Sequence, residues 1–217
     1  SAPTFAGDGG NPTSASLKAP EAVTSTASGV YIADSGNHRI RKVTGGTITT
    51  VAGGGPGTSS QQNVAATAVN LPQPTGVTFD GSGNMYIASS SSYRVRKVDT
   101  GGTITTVGGN GTEGFSGDGG QATSAQLDSP AGLAKDAAGN LYIADSWTAR
   151  IRKRSPNGLI STVAGGGVNN GDGQPATQAV LAFPGDVDVD LDGNLYLVET
   201  GANRIRKVDA NGTITTV

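Results

Sequence analysis

Carboxylate and guanidinium side chains occur together at four similar places in this chain. The acidic set consists of Asp34, Asp145 and Glu199, with Ser89 at the fourth place, and the arginines that follow shortly after are Arg39, Arg94, Arg150 and Arg204. A bidentate arginine–carboxylate pair orders a loop well, and repetition of the pair in every place favours that structural role. The alternative is a ring of carboxylates and arginines that binds a ligand or a metal, although Ser89 interrupts such a ring.

Three aspartates lie beside glycines in a second repeated pattern: Asp8, Asp118 and Asp172. Their oxygens could bind calcium, but a calcium site uses about 6 to 8 oxygen ligands and each of these segments offers one carboxylate. We therefore expect each aspartate to accept backbone N–H bonds at the turn that follows it. Calcium binding is the weaker alternative.

A basic pair occurs in every repeat, as Arg41–Lys42, Arg96–Lys97, Arg152–Lys153 and Arg206–Lys207. We expect these pairs on a solvated outer strand, where positive side chains discourage aggregation through the edge. The alternative is a local patch for an anionic partner such as an acidic polysaccharide. The formal net charge is only −2, so any basic patch would be local.

Trp147, Tyr93 and His38 occupy the part of the pattern that differs most among the four places. Such variation is typical of a surface, where an exposed tryptophan can anchor a partner, although partial burial is an equally open alternative. The chain has one histidine and no cysteine, which excludes a zinc site built from several histidines within one subunit. We expect no cofactor and no metal.

Composition excludes several classes of protein. The 217 residues include 35 glycines without a Gly-X-Y period, so the chain is not collagen-like. Charged residues make up 15% of the chain, too few for a disordered polyelectrolyte, and the near-neutral balance argues against a nucleic-acid partner. No apolar run approaches the ~20 residues of a membrane-spanning helix.

Internal repetition organises the whole chain. Tyr31, Tyr86, Tyr142 and Tyr196 are 55, 56 and 54 residues apart, and each is followed by a TITTV-like block, at 47–51, 103–107, 159–163 and 213–217. The repeats run approximately over 1–54, 55–110, 111–166 and 167–217, and we expect them to form a single domain, 1–217. The given sequence begins and ends between repeats. We therefore expect four whole units, with no blade built from strands of both chain ends.

Each repeat predicts four short antiparallel strands. In the third repeat these are 131–136, 140–145, 149–154 and 159–165, with period-two alternation and turn residues between them. Repeated four-stranded sheets predict an all-β protein, a β-propeller of four blades. Four blades can close into a ring, form an arc that another copy completes, or belong to a longer array. The apolar pairs Ala15/Leu17, Val69/Leu71, Ala125/Leu127 and Ala179/Leu181 are expected to pack as wedges between blades.

The string DSGNHRI at 34–40, preceded by GVYIA, resembles the signature of NHL repeats, and all four repeats align with it. The resemblance implies a β-propeller that binds proteins or glycans. The longer GDGG-type form is similar to repeats of large bacterial extracellular proteins, which implies an extracellular or cell-surface location. We expect a non-enzymatic scaffold that binds a protein or glycan, or a structural subunit that assembles into a homo-oligomer or polymer. The alternative is a hydrolase- or lyase-like enzyme with a carboxylate-lined axial site.

Overall fold

Alternating apolar and polar residues form short strands in every repeat, as the sequence predicts. The structure, a computed structural model, describes residues 5–217. The strands are, in blade 1, β1 Pro20–Thr26, β2 Gly29–Asp34, β3 Arg39–Thr44 and β4 Thr47–Gly53; in blade 2, β5 Val64–Ala65, β6 Pro74–Phe79, β7 Met85–Ser89, β8 Arg94–Val98 and β9 Thr103–Gly108; in blade 3, β10 Pro130–Lys135, β11 Leu141–Asp145, β12 Arg150–Arg154 and β13 Ile160–Gly165; and in blade 4, β14 Gln174–Pro175, β15 Pro184–Val189, β16 Leu195–Glu199, β17 Arg204–Val208 and β18 Thr213–Thr216.

Each blade is a four-stranded antiparallel meander. The strand orders are β1-β2-β3-β4, β6-β7-β8-β9, β10-β11-β12-β13 and β15-β16-β17-β18, and the two-residue strands β5 and β14 add to the outer edges of blades 2 and 4. The remaining regular structure is single turns of 3-10 helix: Pro12–Ser14, Ser35–Asn37, Ala66–Ala68, Ser90–Ser92, Ala122–Ser124 and Ala176–Gln178. The predicted all-β fold of four propeller blades is confirmed.

Aspartate-initiated turns join the first two strands of blades 2, 3 and 4. In blade 2, Asp80 Oδ1 accepts the N–H groups of Ser82 and Asn84 at 3.0 and 2.9 Å. Gly83 then adopts φ +84°, a conformation that is costly for residues with a Cβ. The turn therefore forms from side chains within five residues, which is why the sequence predicts it.

The glycine-rich segment at the start of each repeat covers the outer edge of its own blade. In blade 1 the Gly9 N–H donates to Ile48 O at 2.8 Å, and the Ile48 N–H donates to Gly10 O at 3.1 Å. Equivalent bonds join Gly119 and Gly120 to Ile160. The bonds satisfy part of an edge that could otherwise pair with another chain.

The described chain divides into two compact units. One comprises the residues up to Ser92 with Arg96–Thr106, and the other comprises Tyr93–Val95 with Val107–Val217. In the first unit, a core joins blade 1, through Ile40 and Ala52, to blade 2, through Ile87 and Ile104. The second unit has a matching core between blades 3 and 4. The single-domain boundary of 1–217 stays a prediction.

Two of the four interblade apolar pairs lie in these cores. Val69 and Leu71 are buried in the first unit, and Ala179 and Leu181 are buried in the second. Ala125 and Leu127 are also buried. Leu17 differs, because it is only half-buried. The wedge hypothesis is therefore confirmed where a preceding blade of the same unit is present. Among residues 5–217, no helix has the length and apolar character that crossing a membrane requires.

Candidate functional site

The acidic residues of the repeated pattern each lie at the last position of the second core strand. Asp34 ends β2, Asp145 ends β11 and Glu199 ends β16, and all three are fully buried. The arginine of the basic pair is the third residue of the next strand, and its side chain is buried beside the acid. The sheet register therefore brings together two residues that are seven positions apart in the chain.

Blade 3 shows the arrangement in full. Asp145 Oδ1 accepts the Asp128 N–H at 2.7 Å, and Oδ2 accepts the Thr148 hydroxyl at 2.7 Å. Arg152 Nη1 lies 3.5 Å from Asp145 Oδ2, and Arg152 Nη2 lies 2.6 Å from Asp118 Oδ1. A buried guanidinium thus lies between a buried carboxylate and a carboxylate that is partly exposed to solvent.

Blades 1 and 4 repeat this triad with their own residues. In blade 1, Arg41 lies 3.6 Å from Asp34 and 2.8 Å from Asp8. In blade 4, Arg206 lies 3.7 Å from Glu199 and 2.8 Å from Asp172. We call these sets the arginine triads: Asp8–Arg41–Asp34, Asp118–Arg152–Asp145 and Asp172–Arg206–Glu199.

Blade 2 keeps the arginine of the triad and replaces the two carboxylates with neutral groups. Ser89 occupies the acidic position, and its hydroxyl donates to Pro72 O at 2.5 Å. Arg96 donates to the backbone carbonyls of Ser59 and Gln61. Pro72 stands where the other blades have Lys18, Asp128 and Ala182, whose N–H groups donate to the acid. Proline has no N–H, so a carboxylate here would lose that donor, whereas a serine hydroxyl can donate to the carbonyl instead.

The predicted pairing of the acids with Arg39 and Arg150 is wrong. Arg39 lies over the ring of Phe5, 3.6 Å from its centroid, and Arg150 lies over Phe115 at 3.8 Å. In blade 4 the pairing does occur, because Arg204 Nε donates to Glu199 Oε2. Glutamate is one methylene longer than aspartate and reaches both arginines of its blade. Arg94, in the blade with Ser89, donates to Asn110 O at 2.8 Å.

Two further expectations from the sequence require correction. Asp8, Asp118 and Asp172 bind the triad arginines and do not cap the following turn, and in blade 1 Asn11 caps that turn by accepting the Thr13 N–H. The arginines of the basic pairs are not solvated, because Arg41, Arg96, Arg152 and Arg206 are all buried. Strand alternation explains the difference, since the arginine and the following lysine point to opposite faces of the sheet.

Burial changes the acidity of the blade 3 carboxyl. Loss of solvent raises the pKa of Asp145 to about 6, although the Asp128 N–H, the Thr148 hydroxyl and Arg152 all act to lower it. In the described residues, no group of three or more histidine, cysteine, aspartate or glutamate side chains could hold a metal ion. The triads can therefore fix the interblade segments onto their blades, and their buried carboxyls have no direct access to solvent.

An exposed aromatic patch lies in the second unit. Trp147 is 68% exposed, Phe183 is 52% exposed, and their rings meet edge to face with centroids 5.8 Å apart. The backbone N–H of Trp147 donates to the backbone carbonyl of Asp128 at 3.2 Å, which joins the Asp128 segment to the Trp147 turn. We call Tyr93, Glu113, Asp128, Trp147 and Phe183 the Trp147 patch.

The acidic part of the patch is linked by a hydrogen bond. The Tyr93 hydroxyl donates to Glu113 Oε2 at 3.0 Å. This hydrogen bond raises the pKa of Tyr93, and the nearby charge of Glu113 adds to the effect. Partial burial, together with the charge of Glu113, raises the pKa of Asp128. Tyr93, Glu113 and Asp128 therefore interact with one another, and the backbone of Asp128 is bonded to that of Trp147.

His38 and Tyr93 share a backbone conformation that sequence reasoning missed. His38, Tyr93, Ala149 and Asn203 directly precede the third core strand and have φ between 51° and 57°. His38 Nδ1 accepts the Gln73 N–H at 3.1 Å, so this exposed histidine connects blades 1 and 2. Asparagine and histidine are both enriched in the left-handed region, so Asn203 and His38 were the residues of the set that could have indicated the turn.

Comparisons with known proteins support the fold. A model of the teneurin NHL domain matches residues 111–169. The protein SUPPRESSOR OF QUENCHING 1, chloroplastic, of Arabidopsis thaliana is 34% identical over 132 residues, a match that covers 56% of this chain and 12% of that protein. The chain therefore spans only about one eighth of this curated relative.

Solved structures give a wider comparison. Virginiamycin B lyase from Staphylococcus aureus is 19% identical, with a TM-score of 0.60, and the match covers 95% of this chain and 56% of the lyase. A structure of the nidogen/laminin complex is also 19% identical, with a TM-score of 0.62, and the match covers 92% of this chain and 66% of that one. At such identities the likeness shows the fold alone.

Proposed function

We propose that this chain, which is an NHL-repeat β-propeller, is a non-enzymatic binding scaffold that holds a glycan at the Trp147 patch. The observation that carries the proposal is the pair of exposed rings, Trp147 and Phe183. Asp128 is bonded to the Trp147 backbone, and the charge of Glu113 acts on Asp128. Exposed tryptophans are frequent anchors of binding surfaces. The acids of the arginine triads are already paired with arginines.

The chemistry of the patch fits a neutral glycan. The apolar face of a sugar ring packs well on an aromatic ring, while its hydroxyl groups donate to carboxylates. Glu113 and the Tyr93 hydroxyl extend the polar part of the patch. An anionic polysaccharide would be repelled by Asp128 and Glu113, so the acidic glycan considered for the basic pairs is the poorer candidate.

Trp147 is the only tryptophan in the chain, so its fluorescence reports directly on the patch. We would titrate the protein with cello-, malto-, xylo- and chito-oligosaccharides and follow the tryptophan emission. A saturable change with at least one series is expected. By calorimetry, Trp147→Ala should weaken binding of that series about tenfold or more, roughly 1.4 kcal/mol, and Trp147→Phe should weaken it less.

Leu191→Ala provides the matched control, because Leu191 is a fully exposed apolar residue in the β15–β16 turn, outside the patch. It should bind as the unmodified chain does. The proposal is wrong if no series produces a saturable change, or if Trp147→Ala binds as tightly as the unmodified protein. Binding of a protein in place of every glycan would also overturn it.

The enzyme alternative from the sequence stays a prediction with a direct assay. Asp34, Asp145 and Glu199 would have to act as its carboxylates, and each is fully buried with its oxygens bonded to N–H groups, hydroxyls or arginines. A screen for lactonase, esterase and lyase activity, with Asp145→Asn as the comparison, would support it if turnover disappeared in the variant. An extracellular or cell-surface location is likewise part of our proposal, and cell fractionation would test it.

A further inference from the structure

Each blade that follows another in its unit buries an apolar face against the blade before it. In blade 2 this face contains Leu71, Val77 and Ile87, all buried in the core of the first unit. In blade 4 the same positions are Leu181, Val187 and Leu197, buried in the second unit. We call these positions the leading face of a blade.

The leading face of blade 1 is uncovered. Val23, which corresponds to the buried Val77 and Val187, is 68% exposed. Leu17 and Ile32, at the positions of the buried Leu71 and Ile87, are only half-buried. These three side chains line one shallow hollow with Pro20, Glu21 and Ala22.

The opposite face of blade 4 is uncovered in the same way. In blades 1 and 3 this trailing face buries Ala33 and Ile40, or Ala144 and Ile151, against the following blade. The corresponding residues of blade 4, Val198 and Ile205, are 38% and 46% exposed. An isoleucine that is completely buried in two other blades is therefore half uncovered here.

We infer that the trailing face of blade 4 binds the leading face of blade 1 of a second copy of this chain. The leading-face and trailing-face positions pack against each other inside each unit. The uncovered leading face of blade 1 therefore fits a trailing face, and the uncovered trailing face of blade 4 fits a leading face. Because the two surfaces differ, the contact is heterologous, and further copies can add to a dimer until a ring closes or a filament grows.

Side-chain sizes on the two faces support the match. Blade 4 has Val198 where the other blades have alanine, so its trailing face gains volume. Blade 1 has Val30 where the others have Met85, Leu141 and Leu195, so its leading face loses volume. The gain on one face and the loss on the other compensate each other in volume. Neither face includes the Trp147 patch, so the inference does not depend on glycan binding.

The test measures mass against concentration with single-face variants. Val23→Glu places a charge on the leading face, and Ile205→Glu places one on the trailing face. By sedimentation velocity the unmodified chain should form dimers and larger species as its concentration rises. Each variant alone should remain a monomer, because every contact needs one intact face of each kind. Circular dichroism establishes that both variants are folded.

Mixing the two variants distinguishes this contact from any symmetric one. Val23→Glu keeps an intact trailing face and Ile205→Glu keeps an intact leading face, so an equimolar mixture should form 1:1 dimers and stop there. Leu191→Glu, which changes an exposed leucine outside both faces, should assemble as the unmodified chain does. A monomer at every concentration overturns the inference, as does self-association that persists in either variant or a mixture that stays monomeric.

Discussion

At the residue scale, the local backbone decides which side chain can stand at the end of the second core strand. The position holds an acid when the residue that follows the buried interblade leucine can donate its backbone N–H, as Asp128 donates to Asp145. Serine occurs where that residue is Pro72, which offers only its carbonyl. The two positions are seventeen residues apart in the chain, yet they depend on each other through one hydrogen bond.

The dependence predicts a measurable coupling between positions 72 and 89. In the Ser89→Asp variant, changing Pro72 to alanine supplies an N–H that the new carboxylate can accept. Pro72→Ala should therefore stabilise Ser89→Asp by about 1 kcal/mol or more relative to its effect in the unmodified chain. Urea denaturation of the four proteins in this cycle gives the coupling energy.

A matched cycle in blade 3 is the control for that coupling. Asp145→Ser with Asp128→Pro converts blade 3 to the blade 2 pair, and the double variant should be more stable than the two single effects predict. Additive free energies in both cycles would show that the two positions act independently.

The raised pKa of Asp145 predicts that the free energy of unfolding falls as the pH rises. Burial raises the pKa of Asp145 to about 6 from an ordinary value of 3.8, so the folded chain binds this proton more tightly than the unfolded chain. The resulting stability is present below about pH 4 and is lost as the pH rises through about 6. The unfolding free energy of the unmodified chain minus that of Asp145→Asn should therefore fall, by at most about 3 kcal/mol, from about pH 4 to about pH 7. A difference that is constant or rises with pH would contradict this.

At the element scale, the segments between blades have two structural roles. Their glycine-rich part pairs with the outer strand of its own blade, as Gly9 and Gly10 pair with Ile48. Their apolar part fills the space between blades, as Leu71 does in the first unit. The triads join the two roles, because Arg41 binds Asp8 of the glycine-rich part and lies beside Asp34 of the strand.

Truncation of the wedge leucines should distinguish covered positions from uncovered ones. Leu71→Ala removes a fully buried side chain and should lower the free energy of unfolding by about 2 to 5 kcal/mol. Leu17→Ala removes the half-buried counterpart and should cost less than about 1.5 kcal/mol. Both values are best measured by urea denaturation at low protein concentration, where copies do not cover Leu17. Equal costs would be inconsistent with Leu17 lying on an open face.

At the scale of the whole molecule, the blades have similar backbone structures, but equivalent side chains in different blades differ in their exposure to solvent. Val23 of β1 and Ile205 of β17 are exposed, whereas Val77 of β6 and Ile151 of β12 are buried at the same positions. In a repeat protein the stability of each repeat depends on its contacts with its neighbours. The strands β1 and β17, which carry these exposed residues, should therefore open more often than β6 and β12.

Hydrogen exchange followed by mass spectrometry tests this expectation. In dilute solution, amides of β1 and β17 should exchange faster than those of β6 and β12. If copies cover these strands, raising the protein concentration should slow amide exchange in β1 and β17. In the Ile205→Glu variant, a higher protein concentration should not slow exchange in β17. Uniform exchange over all four blades would contradict the difference in burial.

Local patterns were sufficient to predict the blades. Period-two alternation and the turns at Asp80–Asn84 depend on neighbouring residues, and the strands of blade 3 begin and end within one residue of the predicted positions. The partners of the arginines were not predictable in this way. Arg39 and Arg41 both follow Asp34 closely, and only the packing of Phe5 and the loop around Asp8 separates their environments.

The sequence by itself determined the repeat, its four strands and the residues that recur in each blade, because each of these depends on contacts within one repeat. The tertiary structure alone decided that Arg41, Arg152 and Arg206 are buried between two carboxylates, that Trp147 is exposed beside Phe183, and that Val23 and Ile205 lie on uncovered faces. These properties depend on what lies across a sheet or between blades. Equivalent positions of the repeats therefore differ in exposure, and that difference places the proposed contacts.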